Sequence, residues 1–175
     1  MDIRSIFVVG AGTMGNGIAQ VAATTGYQVT IMDVLPGQVE RAQATIAKST
    51  EKLVGKGLIS EEQRNAALKI KTEVTLEGVA SADLVIEAAS ENPELKLKLF
   101  RDLDQLARPG AILASNTSSI SITKIAAATR HPENVIGMHF MNPVPLMKLV
   151  EVIRGLATSA ETISITMDVC RKMGK

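Results

Sequence analysis

The segment His139-Phe-Met-Asn-Pro-Val-Pro-Leu-Met-Lys-Leu-Val-Glu151 sets one imidazole and one carboxylate on either side of a turn carrying two prolines. Histidine titrates near neutral pH, so His139 can take or give a proton under working conditions. Glu151 interrupts the apolar run Leu149-Val150-Glu151-Val152-Ile153, where a carboxylate is costly unless it is paired. A buried Glu151 bonded to one imidazole nitrogen would fix the tautomer of His139 and stabilise its charged form. That is the logic of a hydrolase triad applied without the nucleophile. A lone histidine is more often an ordinary core residue, and it is the misplaced carboxylate that favours the pair. The other histidine, His131, precedes Pro132 in a polar stretch and is expected at the surface.

A second constellation lies near the N-terminus. Gly10-Ala-Gly-Thr-Met-Gly15 is a G-x-G-x-x-G loop between an apolar run and a helical pattern. Gly10 permits the tight turn, Gly12 lets the backbone approach a pyrophosphate on the helix N-terminus, and Gly15 allows close packing. Thr13 and Met14 complete the cofactor-binding loop. An acid about 20 residues further on is part of the pattern, and Asp33 supplies it. Its carboxylate would accept bonds from ribose hydroxyls and repel a 2′-phosphate. Val34 and Leu35 offer no cation to hold one, so NAD is favoured over NADP. Taking a hydride from a secondary alcohol requires the hydroxyl proton to leave as well. The two constellations together therefore point to redox chemistry on an alcohol. The competing reading of the loop is a glycine turn that binds nothing, or that binds a different nucleotide.

Both constellations need a frame. Apolar runs at Ile6–Val9, Gln28–Met32, Leu84–Ile86, Ala111–Ala114, Val135–Met138 and Leu149–Ile153 read as strands. Helical patterns lie between them. Met14, Ile18, Val21 and Ala22 recur at helical spacing before Gly26, a natural stop. Asn92-Pro93 reads as an N-cap with proline in the first turn, ahead of an apolar stripe at Leu95, Leu99, Leu103 and Leu106. Thr158 and Glu161 have capping-box spacing, with Ile163, Met167 and Cys170 on one face of a last helix. The stretch 34–69 is too long for one crossover helix. Val39, Ala42, Ile46 and Leu53 mark a first helix, Ser60 and Gln63 cap a second, and Gly55-Lys56-Gly57 joins them. The expected fold is α/β: a Rossmann-like, doubly wound, mainly parallel sheet with a helical-hairpin insertion after the second strand.

Bulk properties narrow the classes. The 175 residues suit one domain. A net charge of +1 gives no electrostatic footprint for nucleic acid or an anionic membrane. Phe7, Tyr27, Phe100 and Phe140 are too few aromatics for a base-stacking platform. The single cysteine, Cys170, excludes an internal disulfide, fits a reducing compartment, and reads as a space-filling residue. With no leader peptide or bilayer-length apolar run read from the sequence, a cytoplasmic address is expected.

Four words in order make a specific match: Val9-Gly-Ala-Gly-Thr-Met-Gly-Asn-Gly-Ile-Ala-Gln20, Asp83-Leu-Val-Ile-Glu-Ala88, Ser115-Asn-Thr-Ser-Ser119, and Gly137-Met-His-Phe-Met-Asn-Pro-Val-Pro145 running on to Glu151. Over essentially its whole length the chain resembles the NAD-binding domain of the 3-hydroxyacyl-CoA dehydrogenases, including the 3-hydroxybutyryl-CoA enzymes. The resemblance implies NAD-dependent oxidation of an (S)-3-hydroxyacyl-CoA to the 3-oxoacyl-CoA, or the reverse, in fatty acid or butanoate-type metabolism. It assigns His139 as acid/base, Glu151 as its partner, and Ser118 to both substrate and nicotinamide. Asn142, Glu91 and Lys96 match NAD-contacting positions, and Ser49 and Lys56 match positions that touch coenzyme A. Lys48, Lys52 and Lys56 form a basic stripe suited to a phosphate-bearing tail, although such a stripe is commonly just a solvated helix face.

Family members continue into a mostly helical domain that closes the active site and forms a homodimer. The sequence shows no counterpart, so residues 1–175 are expected to be the NAD-binding domain alone. Two other readings stand beside the acyl-CoA enzyme. One is an NAD-binding module without useful catalysis. The other is a sugar-acid dehydrogenase of the kind related to lambda-crystallin, which needs no docking surface for a CoA tail.

Overall fold

The computed structural model describes residues 1–175. Seven strands form one sheet: β1 (Ser5–Val9), β2 (Gln28–Met32), β3 (Lys71–Glu73), β4 (Leu84–Glu87), β5 (Ile112–Ser115), β6 (Val135–Phe140) and β7 (Val150–Arg154). Their spatial order is β3-β2-β1-β4-β5-β6-β7. All neighbours are parallel except β6 and β7, which are antiparallel. The helices are α1 (Thr13–Thr24), α2 (Pro36–Gly55), α3 (Glu61–Leu68), α4 (Pro93–Leu106), α5 (Ile122–Ala126) and α6 (Ala160–Lys172). The order switches direction at β1/β4, the place where open α/β sheets bind ligands beyond their strand ends.

Strand alternation divides the core in two. Ile6 and Val8 of β1 join one cluster with α1 and α2, while Phe7 and Val9 join another with α4 and α5. The same parity runs through β4 and β5, where Leu84, Ile86, Ile112 and Ala114 face α1 and Val85 and Leu113 face α4. It follows that Glu87 and Ser115, which end these strands, project on the α4 side. On β6, Ile136, Met138 and Phe140 belong to the α1 cluster. His139 accordingly projects on the same side as Glu87 and Ser115.

The helical hairpin forms as the sequence predicts. Val39, Ala42 and Ile46 of α2 are buried, and Gly57 closes the joint at φ +68°. Ser60 Oγ accepts from Gln63 N–H while Gln63 Oε1 accepts from Ser60 N–H. Gly26 stops α1 with φ +105°, and Asn92 Oδ1 caps α4 by accepting from Leu95 N–H at 3.1 Å.

Four details differ from the expectation. β3 is an additional edge strand, and its polar sequence Lys-Thr-Glu carries no apolar signal. β6 extends through His139 to Phe140. The buried face of α4 is Lys96, Phe100, Leu103 and Asp104, while Leu95 and Leu106 are exposed, because two charged residues with tertiary partners occupy the inner face. The cap of α6 is Ser159, which accepts from Thr162 N–H. Thr158 instead donates to the carbonyl of Val135, and the inner face is Thr162, Thr166, Val169 and Cys170.

Candidate active site

The antiparallel register brings His139 directly opposite Glu151 on neighbouring strands. Side chains at paired positions share a face, so the twelve-residue separation in sequence becomes a contact. His139 Nδ1 lies 2.8 Å from Glu151 Oε2. With Nδ1–H donated to the carboxylate, Nε2 carries the lone pair and is left to accept a proton from another molecule. Glu151 is not buried, contrary to expectation. β7 is an edge strand with one uncovered face, and the Glu151 side chain is 53% exposed against 21% for His139. Leu149 and Ile153 of the same run are exposed as well. His131 is exposed, as its polar setting suggests.

The glycine loop has the shape of a phosphate cradle. Gly10 takes φ +98°, and a Cβ there would lie 2.7 Å from the Ala88 carbonyl oxygen. A Cβ on Gly15 would collide with the Gly10 carbonyl. Gly12 has open space where its Cβ would be, and as N-cap of α1 it provides no side-chain bond to the first-turn N–H groups. Those donors are free for an anion. Thr13 is exposed beside them and Met14 is half-buried against the core. Asp33 follows β2 directly, with both oxygens engaged by backbone: Ala11 N–H donates to Oδ2 at 2.9 Å and Leu35 N–H to Oδ1 at 3.1 Å. Each oxygen keeps a further acceptor site for a ribose hydroxyl. Next to it lies a mostly apolar slot of about 320 Å³, walled by Val9, Met32, Val34, Leu76 and Leu99 among others. A flat adenine ring fits such a slot, so this chain's residues suit a dinucleotide.

Between the glycine loop and His139 lies a polar network on the ends of β4 and β5. Lys96 Nζ reaches the two Glu87 oxygens at 2.8 and 2.6 Å, and the side chains are 1% and 0% exposed. Ser115 Oγ donates to Glu87 Oε2 at 2.7 Å, and Ala89 N–H donates to Oε1 at 2.8 Å. Lys96 also stands 3.5 Å from Glu91 Oε2. Glu91 Oε1 accepts from Thr117 Oγ1 at 2.7 Å and from Ser118 N–H at 2.8 Å. Burial pushes the Glu91 carboxyl up. The bonds from Thr117 and Ser118 and the charge of Lys96 outweigh that and hold it below the usual range. Asn116 Oδ1 accepts from Phe140 N–H at 2.8 Å, tying the Ser118 loop to the His139 strand.

Sequence reasoning singled out Glu91, Lys96 and Ser118, and they meet here. It overlooked Glu87, Thr117 and Asn116. A signal for Glu87 exists: a carboxylate closing an apolar strand requires a cation, and Lys96 is its natural partner.

On the opposite face of the sheet, a cleft of about 500 Å³ opens between α1, α2 and the turn at Asn142-Pro143. Lys48, Ser49, Lys52, Lys56 and Asn142 line it, with no carboxylate among the lining side chains. The structure thus separates Ser49 and Lys56 from Glu91, Lys96 and Ser118, with the 142–146 turn as the wall between. That turn packs on α1 at Gly17, where a Cβ would lie 2.8 Å from Val144 Cβ. Cys170 is buried, and burial pushes its thiol up to about 11, so it stays protonated.

Residues 5–175 match the model of the 3-hydroxyacyl-CoA dehydrogenase NAD-binding domain. The chain belongs to this family. It is 51% identical to a probable 3-hydroxybutyryl-CoA dehydrogenase of Bacillus subtilis, covering 100% of this chain and 61% of that protein. It is 44% identical to the 3-hydroxyadipyl-CoA dehydrogenase of Escherichia coli, covering 100% of this chain and 37% of that one. The crystal structure of (S)-3-hydroxybutyryl-CoA dehydrogenase from Ralstonia eutropha superposes with a TM-score of 0.96 at 45% identity, covering 99% of this chain and 62% of that chain. The chain therefore spans about three fifths or less of these relatives. No helix is long and apolar enough to cross a membrane. Within the 3-hydroxyacyl-CoA dehydrogenase family the domain's cofactor is NAD, in keeping with Asp33 and the uncharged Val34-Leu35 that follow β2.

Proposed function

We propose that the protein interconverts an (S)-3-hydroxyacyl-CoA and its 3-oxoacyl-CoA. The observation that carries this reading is the His139–Glu151 pair, 2.8 Å apart at the end of β6, on the sheet whose β1 end forms the dinucleotide loop. In oxidation, His139 Nε2 takes the 3-hydroxyl proton. In reduction, the imidazolium returns it to the 3-oxygen. Glu151 holds Nδ1–H, fixes the tautomer and stabilises the charged ring. The Ser118 hydroxyl, which donates to Glu91 Oε1 at 3.3 Å, would turn to the substrate oxygen when substrate binds, on a loop set by Glu91 and Asn116. NAD, when bound, supplies the hydride acceptor. Gly10, Gly12, Thr13, Met14 and Gly15 would hold its pyrophosphate and Asp33 its adenosine ribose; Glu91 would face its nicotinamide half, with Lys96 sealed behind Glu91 and Asn142 on the turn that also lines the lysine cleft.

The cleft with Lys48, Ser49, Lys52 and Lys56 takes the phosphate-bearing tail of coenzyme A. It favours an acyl-CoA over a free sugar acid, which would leave three lysines unused. Free coenzyme A should therefore compete with the substrate. The exposed Leu149, Ile153 and Leu156 favour a working form in which this edge is covered, in line with a homodimer.

The test is His139→Gln in the whole protein. Turnover of acetoacetyl-CoA with NADH should fall by about 10²–10⁴-fold, with NADH affinity little changed. Undiminished turnover would refute the assignment. The open setting of Glu151 favours a second reading for residues 1–175 by themselves: a module that binds NAD without useful catalysis. NADH binding without acetoacetyl-CoA reduction supports that reading, and robust reduction overturns it.

A further inference from the structure

The Glu87–Lys96–Glu91 network holds two carboxylates and one ammonium, so it carries a formal charge of −1. Its excess charge is not buried: Glu87 and Lys96 are sealed, while the Glu91 side chain is 45% exposed. The strand order says what lies in front of it. The phosphate loop follows β1, the proton-exchanging His139 is on β6, and β4 and β5 stand between them. A dinucleotide with phosphates at one end and reacting ring near the other must cross the ends of β4 and β5. Glu91 follows β4, and its Oε1 holds the Ser118 loop that follows β5. Bonds from Thr117 and Ser118 and the nearby Lys96 keep the carboxyl ionised at neutral pH.

The oxidised nicotinamide ring carries a positive charge and the reduced ring does not. We propose that Glu91, held in place by the buried Glu87–Lys96 pair, discriminates between the two redox states of the bound cofactor and favours the oxidised one. A unit charge several ångströms away in a partly screened site shifts such a balance by about tenfold or more. A tenfold preference lowers the potential of the bound two-electron couple by about 30 mV, making the bound reduced form a stronger hydride donor. Lys96 tunes the effect without cancelling it, since Glu87 already neutralises its charge.

This inference rests on the NAD reading, and its test uses binding alone, without acyl-CoA. Dissociation constants for NAD⁺, NADH and ADP-ribose would be measured on the chain and on Glu91→Gln and Glu91→Asp. ADP-ribose carries the pyrophosphate and both riboses but no nicotinamide ring. In Glu91→Gln the ratio of the NADH to the NAD⁺ constant should fall about tenfold, with ADP-ribose affinity held. Glu91→Asp, which retains the charge, should restore most of the ratio. An unchanged ratio in Glu91→Gln overturns the inference while leaving the NAD reading standing, as does equal weakening of all three ligands. Failure of the unsubstituted chain to bind any of the three overturns the NAD reading and the inference with it.

Discussion

Two carboxylates with nitrogen partners, Glu87 with Lys96 and Glu151 with His139, sit on the same face of one sheet, and they are built to opposite specifications. Lys96–Glu87 is sealed, with every oxygen of Glu87 bonded. His139–Glu151 is open, with one contact and one free ring nitrogen. A sealed pair cannot exchange protons with a ligand, but it holds its surroundings in a single geometry. An open pair contributes little to stability but can meet a substrate. The first suits positioning and the second chemistry. The difference arises from strand position, because β4 and β5 are central while β7 is an edge.

Substitutions can break this contrast from either side. The largest effect is expected at the open pair, where His139→Gln should lower turnover by about 10²–10⁴-fold while the thermal midpoint stays close to the parent's. The sealed pair should respond in the reverse sense. Lys96→Met leaves an uncompensated buried carboxylate, and chemical denaturation should show a loss of about 3–5 kcal/mol. Adding Glu87→Leu should recover much of that stability without restoring cofactor binding.

Glu151→Gln sharpens the comparison. Its rate loss should be on the order of 10²-fold, but being half-exposed it should move stability by no more than about 0.5 kcal/mol. A large destabilisation by Glu151→Gln would erase the distinction between the pairs.

The smallest effect is a pH dependence. Burial pushes the carboxyls of Asp83, Glu91 and Asp104 up. In each, hydrogen bonds prevail and hold it below the usual range: Arg4, Ser5 and Arg108 on Asp83, Thr117 and Ser118 on Glu91, and Arg130 on Asp104. A lowered folded value means that stability is present above the unfolded range, about pH 4, and is lost as pH falls through the folded values. Thermal midpoints should hold from pH 7 to about pH 5 and then drop. Asp104→Asn should flatten that drop by lowering the plateau above it.

Much of this arrangement was readable in the chain, for identifiable reasons. The central strands are apolar runs, β1 closed by Gly10, and the hairpin after β2 carries a capping box. What misled the reading of α4 was tertiary compensation. Lys96 and Asp104 occupy the inner face because Glu87 and Arg130 meet them there, and hydrophobic periodicity cannot see a distant partner. β3 escaped notice because an edge strand needs backbone bonds more than apolar side chains. The apolar run around Glu151 predicts an interior position because such a run looks the same on a covered strand and an uncovered one. The pairing with His139 was legible; its exposure depends on what packs against β7.

The contact between Gly17 and Val144 has one more consequence. The helix whose first turn follows the glycine loop touches the turn that follows His139, with no side chain from the helix between them. If the proposed function holds, cofactor grip and proton-transfer geometry lack independent adjustment. An engineer widening the lysine-lined cleft through this wall would shift α1 as well, and should find selectivity and cofactor affinity changing together.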